Sequence, residues 1–147
     1  MKLTAKGRYA VMAVADLAAQ GPNACESLSA IGARQAISVT FLEQLFGKLR
    51  RAGLVESVRG AQGGYSLSRP ATSIALDSII HAVDAAPKAH GCTPDAKLAC
   101  TGRTDRCLTH DLWGALENHI EGFLASITVQ DVVDGRLPLA TDLEAAE

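Results

Sequence analysis

The sequence lacks a membrane-spanning apolar run near its start, lacks the common catalytic motifs and contains little cysteine. The first apolar stretch ends at Asp16, too short to cross a bilayer, and no small-residue cleavage site accompanies it. We therefore expect a cytoplasmic protein without a membrane partner. There is no nucleotide-binding glycine loop and no nucleophile paired with a base, which speaks against an enzyme. The 147 residues suit one domain, or one domain with an appended element.

Three of the four cysteines lie in one polar segment between residues 92 and 107. Cys92, Cys100, Cys107 and His110 follow the spacing C-x7-C-x6-C-x2-H. Three neighbouring thiols cannot all pair as disulfides, and a reducing compartment favours metal ligation instead. Thiolates with an imidazole suit zinc or an iron–sulfur cluster and do not suit magnesium or calcium, which prefer oxygen ligands. The spacing alone favours zinc, because closed sites of three cysteines and one histidine commonly hold it.

The charge is unevenly divided along the chain. Residues 1–69 contain nine Lys and Arg against four Asp and Glu, whereas residues 70–147 contain five against twelve. This division predicts a polyanion-binding module joined to a part that stays away from the polyanion. Many solvated surfaces are also basic, so charge alone leaves that interpretation open.

Three helices are predicted in the first third of the chain. Thr4 caps a helix from about residue 5 to residue 20, Ser27 caps a second short helix, and Ser38 caps a third. The third helix carries an apolar stripe with helical spacing, formed by Leu42, Leu45, Phe46 and Leu49. Two short helices with a tight connection have the proportions of a helix-turn-helix.

A predicted β-hairpin follows the third helix. Its strands cover residues 54–58 and 64–67, with Arg59 at the tip. The sequence therefore predicts a mainly α fold with a small β-hairpin wing, and a winged helix-turn-helix DNA-binding domain over residues 1–70. Glutamine suits adenine, a carboxylate accepts from the amino group of cytosine, and lysine or arginine binds guanine or phosphate. The candidate DNA-binding side chains are Ser38, Thr40, Glu43, Gln44, Lys48, Arg51 and Arg59. An ordinary solvated helix face is the alternative.

Residues 71–139 are predicted to form a cluster-binding loop and a dimerisation helix, followed by a flexible tail over residues 140–147. A short helix is predicted from Asp77 to Val83, and Thr109 is predicted to cap a long helix ending near Ile127. An apolar stripe runs along the long helix through Leu112, Leu116, Ile120, Phe123, Leu124 and Ile127. The stripe packs into the core of the chain or, as we favour, forms the seam of a homodimer. Cys25 is expected to act as a buried small hydrophobic side chain.

Three sequence blocks carry a resemblance to a known family. MKLTAKGRYAVMA, SVTFLEQLFGKLRRAGLVESVRG with QGGY, and CLTHDLW together resemble the IscR-like iron–sulfur cluster regulators, within the bacterial winged-helix transcription regulator family. The likeness spans about residues 1–139. It implies a homodimer that binds double-stranded promoter DNA and controls iron–sulfur cluster assembly genes. It also implies a 2Fe-2S cluster, supplied by the iron–sulfur assembly machinery and held by Cys92, Cys100, Cys107 and His110.

One departure from the family pattern concerns the cysteine segment. The gaps between the cysteines are longer here than in the family pattern. The ligand roles that the resemblance implies therefore apply more directly to Cys107 and His110, within the intact CLTH, than to Cys92 and Cys100. Other possible fourth ligands are His90, Asp95 and Asp105. A 4Fe-4S cluster or zinc is the alternative cofactor. The alternative functions are a zinc-stabilised winged-helix repressor, a related iron, nitric oxide or redox sensor, and an iron–sulfur electron-transfer protein.

Overall fold

The computed structural model describes residues 3–85, 88, 102 and 105–138. The helices are α1 Ala5–Ala19, α2 Leu28–Gln35, α3 Val39–Arg51, α4 Leu76–Val83, α5 His110–Ser126 and α6 Val129–Asp134. Strands β1 Val55–Val58 and β2 Gly64–Leu67 form an antiparallel hairpin, and a 3₁₀ turn covers Ala71–Ser73. This confirms the predicted mainly α fold with a hairpin wing. No helix within these ranges has the length and apolar character needed to cross a membrane.

Hydroxyl caps begin the first three helices, as the sequence predicts. The side chain of Thr4 accepts a hydrogen bond from the amide of Gly7 at 3.2 Å. Ser27 caps α2 through the amide of Ala30 at 3.1 Å, and Ser38 caps α3 through the amide of Phe41 at 3.2 Å. Each cap satisfies an amide that has no partner within its helix, so the helix starts are fixed by local sequence.

The core forms where α1 and α3 turn their apolar stripes toward α4. All four predicted core positions of α3 are buried: Leu42, Leu45, Phe46 and Leu49. They meet Ala10, Ala13, Val14 and Leu17 of α1 and Ile79 and Val83 of α4. The ring of Phe46 also lies 4.9 Å from the ring of Tyr65, so α3 is packed against the wing as well as the core.

The turn between α2 and α3 is tight. Ala36 has a left-handed backbone with φ of 54°, and the amide of Ile37 bonds to the carbonyl of Gly32 at 3.1 Å. A Cβ on Gly32 would lie 2.6 Å from the carbonyl oxygen of Ile37, so the turn requires glycine there. This close approach sets the angle between the two helices of the helix-turn-helix.

The wing is fastened to the segment that precedes α2. Glu26 and Tyr65 exchange two backbone hydrogen bonds, of 2.8 and 2.9 Å, across an isolated antiparallel bridge. A Cβ on Gly64 would collide with the carbonyl of Glu26, so glycine permits the approach. The wing and the helix-turn-helix are thus held together by backbone bonds that local sequence patterns do not reveal.

Several predicted boundaries differ from the structure by one residue. Helix α1 ends at Ala19, because the amide of Gln20 turns back to the carbonyls of Leu17 and Ala18. Strand β1 begins at Val55 and helix α4 at Leu76, rather than at residues 54 and 77. Helix α5 ends at Ser126, because Ile127 is extended and its carbonyl accepts from the amide of Leu76 at 2.9 Å.

Two predictions for individual side chains also need correction. Thr109 precedes α5 but makes no side-chain cap, because its hydroxyl accepts a 3.1 Å hydrogen bond from the indole of Trp113. Cys25 is half-buried rather than buried, and its thiol lies 3.8 Å from the carbonyl of Gln62 in the wing loop. The predicted tail, residues 140–147, lies outside the described residues.

Candidate DNA-binding surface and cysteine segment

The outward face of α3 carries the predicted base-reading side chains. The side chains of Thr40, Glu43 and Gln44 are exposed, on the side opposite the buried stripe. Ser38 is also exposed, although its hydroxyl already caps the helix. The face therefore offers a hydroxyl, a carboxylate and an amide, which together can donate to and accept from base edges in a major groove.

Two basic side chains near the end of α3 have different surroundings. Arg51 is exposed, and its Nε donates to the carbonyl of Gly47 at 3.2 Å. Lys48 is half-buried, and its ammonium group donates to the carbonyl of Val83, the last residue of α4, at 3.0 Å. Lys48 thus joins α3 to α4 through a contact that the helical spacing of the sequence does not predict. The side chain of Arg51 is exposed to solvent.

The wing contributes a cation at its tip. Arg59 is exposed beside β1, in the loop that joins the two strands. Within β1, the hydroxyl of Ser57 lies 3.4 Å from a guanidinium nitrogen of Arg50, which adds a contact between α3 and the wing. An exposed arginine on a narrow hairpin is well placed for a minor groove or a backbone phosphate.

An ion-pair network that the sequence analysis missed positions α2. The guanidinium of Arg34 donates to both carboxylate oxygens of Asp16, with a shortest distance of 2.6 Å, and also to Glu26 at 2.9 Å. The side-chain amide of Gln35 donates to Asp16 at 2.7 Å. The available signal was Asp16 itself, a carboxylate within the apolar run of α1. The network holds the first helix of the helix-turn-helix against α1.

The protonation behaviour of Asp16 follows from this network. Burial alone would raise the pKa of its carboxyl group, because desolvation disfavours the charged form. Hydrogen bonds from Arg34 and Gln35, with the positive charge of Arg34, outweigh that effect and hold the pKa of Asp16 below its ordinary value. The pKa of Arg34 is raised, first by the hydrogen bond to Asp16 and then by that to Glu26. Both partners thus favour the charged pair.

The described part of the cysteine segment lies at the start of α5. Cys107 is half-buried, and its carbonyl accepts a 3.0 Å hydrogen bond from the amide of His110, the first residue of the helix. The thiol of Cys107 lies 4.0 Å from the hydroxyl of Thr109. This turn brings a sulfur donor and an imidazole to the same end of one helix.

Cys92 and Cys100, and the alternatives His90 and Asp95, lie outside the described residues. Within the described ranges, no three His, Cys, Asp or Glu side chains are grouped closely enough to hold a metal ion. Cys107 and His110 therefore supply two donors of a soft-ligand type that fits zinc or an iron–sulfur cluster.

A protein-family model matches most of the amino-acid sequence. Residues 3–135 match the Rrf2 model, which describes iron-dependent transcriptional regulators. The chain belongs to the Rrf2 family. The match includes the helix-turn-helix, the wing, the cysteine segment and α5, so the DNA-binding surface and the long helix both lie within the part shared with this family.

Named relatives extend this assignment. The chain is 47% identical over 136 residues to the HTH-type transcriptional regulator IscR of Serratia proteamaculans, covering 92% of this chain and 81% of the relative. The solved structure of T. potens IscR has a TM-score of 0.72 and 36% identity, covering 100% of this chain and 92% of that one. The structure of CymR, the global cysteine regulator of B. subtilis, has a TM-score of 0.75 and 30% identity, covering 92% of this chain and 98% of that one.

These relatives are transcription regulators and not enzymes. This chain is accordingly a DNA-binding transcription regulator of the Rrf2 family. The resemblance identified from the three sequence blocks is confirmed.

Proposed function

We propose that this regulator holds a 2Fe-2S cluster through Cys92, Cys100, Cys107 and His110 and adjusts promoter binding to the supply of clusters. The genes that we expect it to control are those for iron–sulfur cluster assembly, whose machinery would donate the cluster. The observation that carries the proposal is the turn that brings Cys107 and His110 together at the start of α5, in a chain whose family is described as iron-dependent.

The described donors fit such a group chemically. Thiolate sulfur and imidazole nitrogen are both ligands of iron–sulfur centres. His110 is the first residue of α5, and Cys107 lies just before that helix. Bound there, a cluster would supply metal–ligand bonds that order the residue 92–107 segment against α5. A ligand set with one imidazole releases metal more readily than a ligand set of thiolates alone, because protonation removes the imidazole from the metal. This property suits a sensor.

The chain offers a path from the cysteine segment to the DNA-binding surface. Helix α4 ends just before that segment, and Lys48 of α3 bonds to the carbonyl of its last residue, Val83. The start of α4 is joined to the end of α5 by the bond between Leu76 and Ile127. A change in the order of the segment therefore acts on α4 and α5 together. It alters DNA affinity only as far as the cluster binds the DNA-competent form more tightly.

We further propose that α5 forms a homodimer seam. None of its residues is buried in the single chain, and Leu112, Trp113 and Phe123 are 60%, 38% and 45% exposed. Large apolar side chains at helical spacing on an uncovered helix favour a partner helix. A two-fold pair would present two α3 helices to half-sites about one DNA turn, roughly 34 Å, apart.

The proposal is tested by metal analysis of anaerobically purified protein. Iron, sulfide and visible absorption are measured for the wild type and for Cys107→Ala, His110→Ala and, as a matched control, Cys25→Ala. We expect the wild type and the control to be coloured and to contain iron and sulfide, whereas Cys107→Ala loses them and His110→Ala retains less. Promoter binding is then compared between the loaded and cluster-free wild type.

Other metals give distinguishable outcomes. A colourless wild type that contains one zinc per chain would replace the cluster with a zinc-stabilised repressor. Four irons per cluster would indicate a 4Fe-4S sensor, and a response to nitric oxide or oxidant rather than to cluster supply would indicate one of the related sensors. A coloured protein whose promoter binding is the same with and without the cluster would refute the sensing role.

A further inference from the structure

A concave surface lies between the last turns of α3 and α4. It encloses about 510 Å³ and is lined by Lys48 and Arg51 from α3 and by His81, Val83 and Asp84 from α4 and its end. His81 is exposed in the last turn of α4. No sequence motif assigns it a role, because the short apolar helix that carries it reads as a core element. The surface gathers three basic side chains and one carboxylate.

The carboxylate of this surface, Asp84, already accepts hydrogen bonds from other parts of the chain. Asp84 accepts hydrogen bonds from the side chain of Thr4 and from the amide of Ala85, and the charges of Lys6 and Lys48 are close to it. The hydrogen bond from Thr4, followed by the others, holds the pKa of Asp84 below its ordinary value. Its charge is thus offset within the fold, and it opposes an incoming anion less than a carboxylate without such partners would.

The end of α4 would otherwise disfavour an anion. A helix carries a partial negative charge on its last carbonyl groups. Here the ammonium group of Lys48 bonds to the carbonyl of Val83 at 3.0 Å and so covers that charge. The half-buried ammonium group of Lys48 is engaged in this bond, which leaves Arg51 and His81 as the exposed donors among the residues that line the concave surface.

The concave surface adjoins the base-reading face of α3. Arg51 follows Gly47 by one helical turn and bonds to its carbonyl, and Gly47 in turn lies one turn beyond Glu43 and Gln44. In a duplex whose base edges meet Glu43 and Gln44, the neighbouring sugar–phosphate backbone would lie near Arg51. The next exposed donor across the cavity is His81.

We propose that His81, together with Arg51, binds a backbone phosphate that flanks the base pairs read by α3. Its imidazole N–H donates to a phosphodiester oxygen, so the DNA-binding surface extends from α3 onto α4. Phosphate contacts fix the position of a protein on the duplex and are independent of sequence. The inference rests on DNA binding by this Rrf2 regulator and does not depend on which metal the cysteine segment holds.

The test uses full-length protein, with and without its metal, and a duplex of random sequence, because non-specific binding depends mainly on phosphate contacts. Affinity is measured over a range of salt concentrations for wild type, His81→Ala, His81→Arg and Thr72→Arg. The last variant adds the same charge at an exposed position of the 3₁₀ turn, which packs on α6. Thermal unfolding verifies that each variant is folded.

We expect His81→Ala to weaken binding about fivefold per protomer, the usual effect of one lost hydrogen bond. His81→Arg should steepen the slope of log K against log salt by about 0.9 per protomer, because it places one more cationic side chain on a phosphate. Thr72→Arg should leave the slope unchanged. Equal slopes for the two arginine variants, or wild-type affinity in His81→Ala, would overturn the proposal. Iron loss in Cys107→Ala is read independently, so either proposal can fail while the other stands.

Discussion

Glu43 gives the outward face of α3 an acidic side chain among hydroxyl, amide and basic groups. DNA phosphates repel a carboxylate unless it accepts a hydrogen bond from a base, and the amino group of cytosine is the usual donor. An exposed carboxylate at the centre of this face thus costs affinity on most sequences and adds affinity where a cytosine is correctly placed. Glu43 is therefore the side chain expected to select sequence rather than to strengthen binding.

Replacing Glu43 with alanine is expected to relax site preference, because it raises affinity for DNA without the cytosine and lowers affinity for DNA that has it. The loss of one carboxylate–cytosine contact should remove about 1–3 kcal/mol of discrimination at one position of each half-site. Selection from a random DNA pool measures this directly. Glu56→Ala, which removes an exposed carboxylate from β1, is the matched control. A Glu43→Ala protein that selects the wild-type sequence would rule out this role.

Among the elements, α1 and α2 are joined by the ion pair between Asp16 and Arg34. The carboxylate of Asp16 is almost fully buried, whereas Arg34 is about one-third exposed. A buried carboxylate with three nitrogen donors is stable only while all of them remain in place. The orientation of α2, and with it the start of α3, therefore depends on a contact outside the apolar core.

Asp16→Asn is expected to lower the free energy of unfolding by about 2 kcal/mol at neutral pH, because the donors of Arg34 and Gln35 lose an anionic acceptor. The pKa of Asp16 is lower in the folded protein than its ordinary 3.8, so its contribution is present above pH 3.8 and disappears as the pH falls through the folded value. Urea unfolding should show the difference between wild type and variant shrinking in acid. Glu56→Gln should show no comparable loss at neutral pH.

Local patterns predicted the elements well, and they failed where partners are distant in sequence. The caps of the first three helices and the buried stripe of α3 follow from contacts within a few residues. The bond from Lys48 to Val83 spans 35 residues and that from Arg34 to Asp16 spans 18, and no local spacing encodes either partner. Spacing and resemblance thus predicted an exposed polar face on α3, but the contacts that position this helix required coordinates.

For the whole molecule, the exposed part of the α5 stripe matters most, because Leu124 and Ile127 pack against the core whereas Leu112 and Phe123 do not. A single chain that leaves Leu112 and Phe123 about half exposed gains by burying them against a second copy. A winged-helix regulator also benefits from two-fold symmetry, because the binding free energies of two linked recognition helices on one duplex combine, which raises affinity far above that of either helix alone.

Phe123→Asp is expected to convert the proposed dimer to a monomer, since a charge in an apolar seam is left without solvent or a partner. Analytical ultracentrifugation measures the state of assembly, and circular dichroism verifies that the helices persist. Ala125→Asp introduces the same charge on the opposite, exposed side of α5 and should remain dimeric. Dissociation of both variants, or of neither, would argue against the stripe as the seam.

The backbone bridge between Glu26 and Tyr65 has a consequence for the thermodynamics of DNA association. A free hairpin would lose conformational entropy when a duplex immobilised it, and that loss would weaken binding. Here the chain incurs most of the loss during folding, when the bridge forms. If the wing binds DNA as predicted, it meets the duplex already ordered, and less of the attraction expected between Arg59 and the duplex is offset by the entropy cost of immobilising the hairpin.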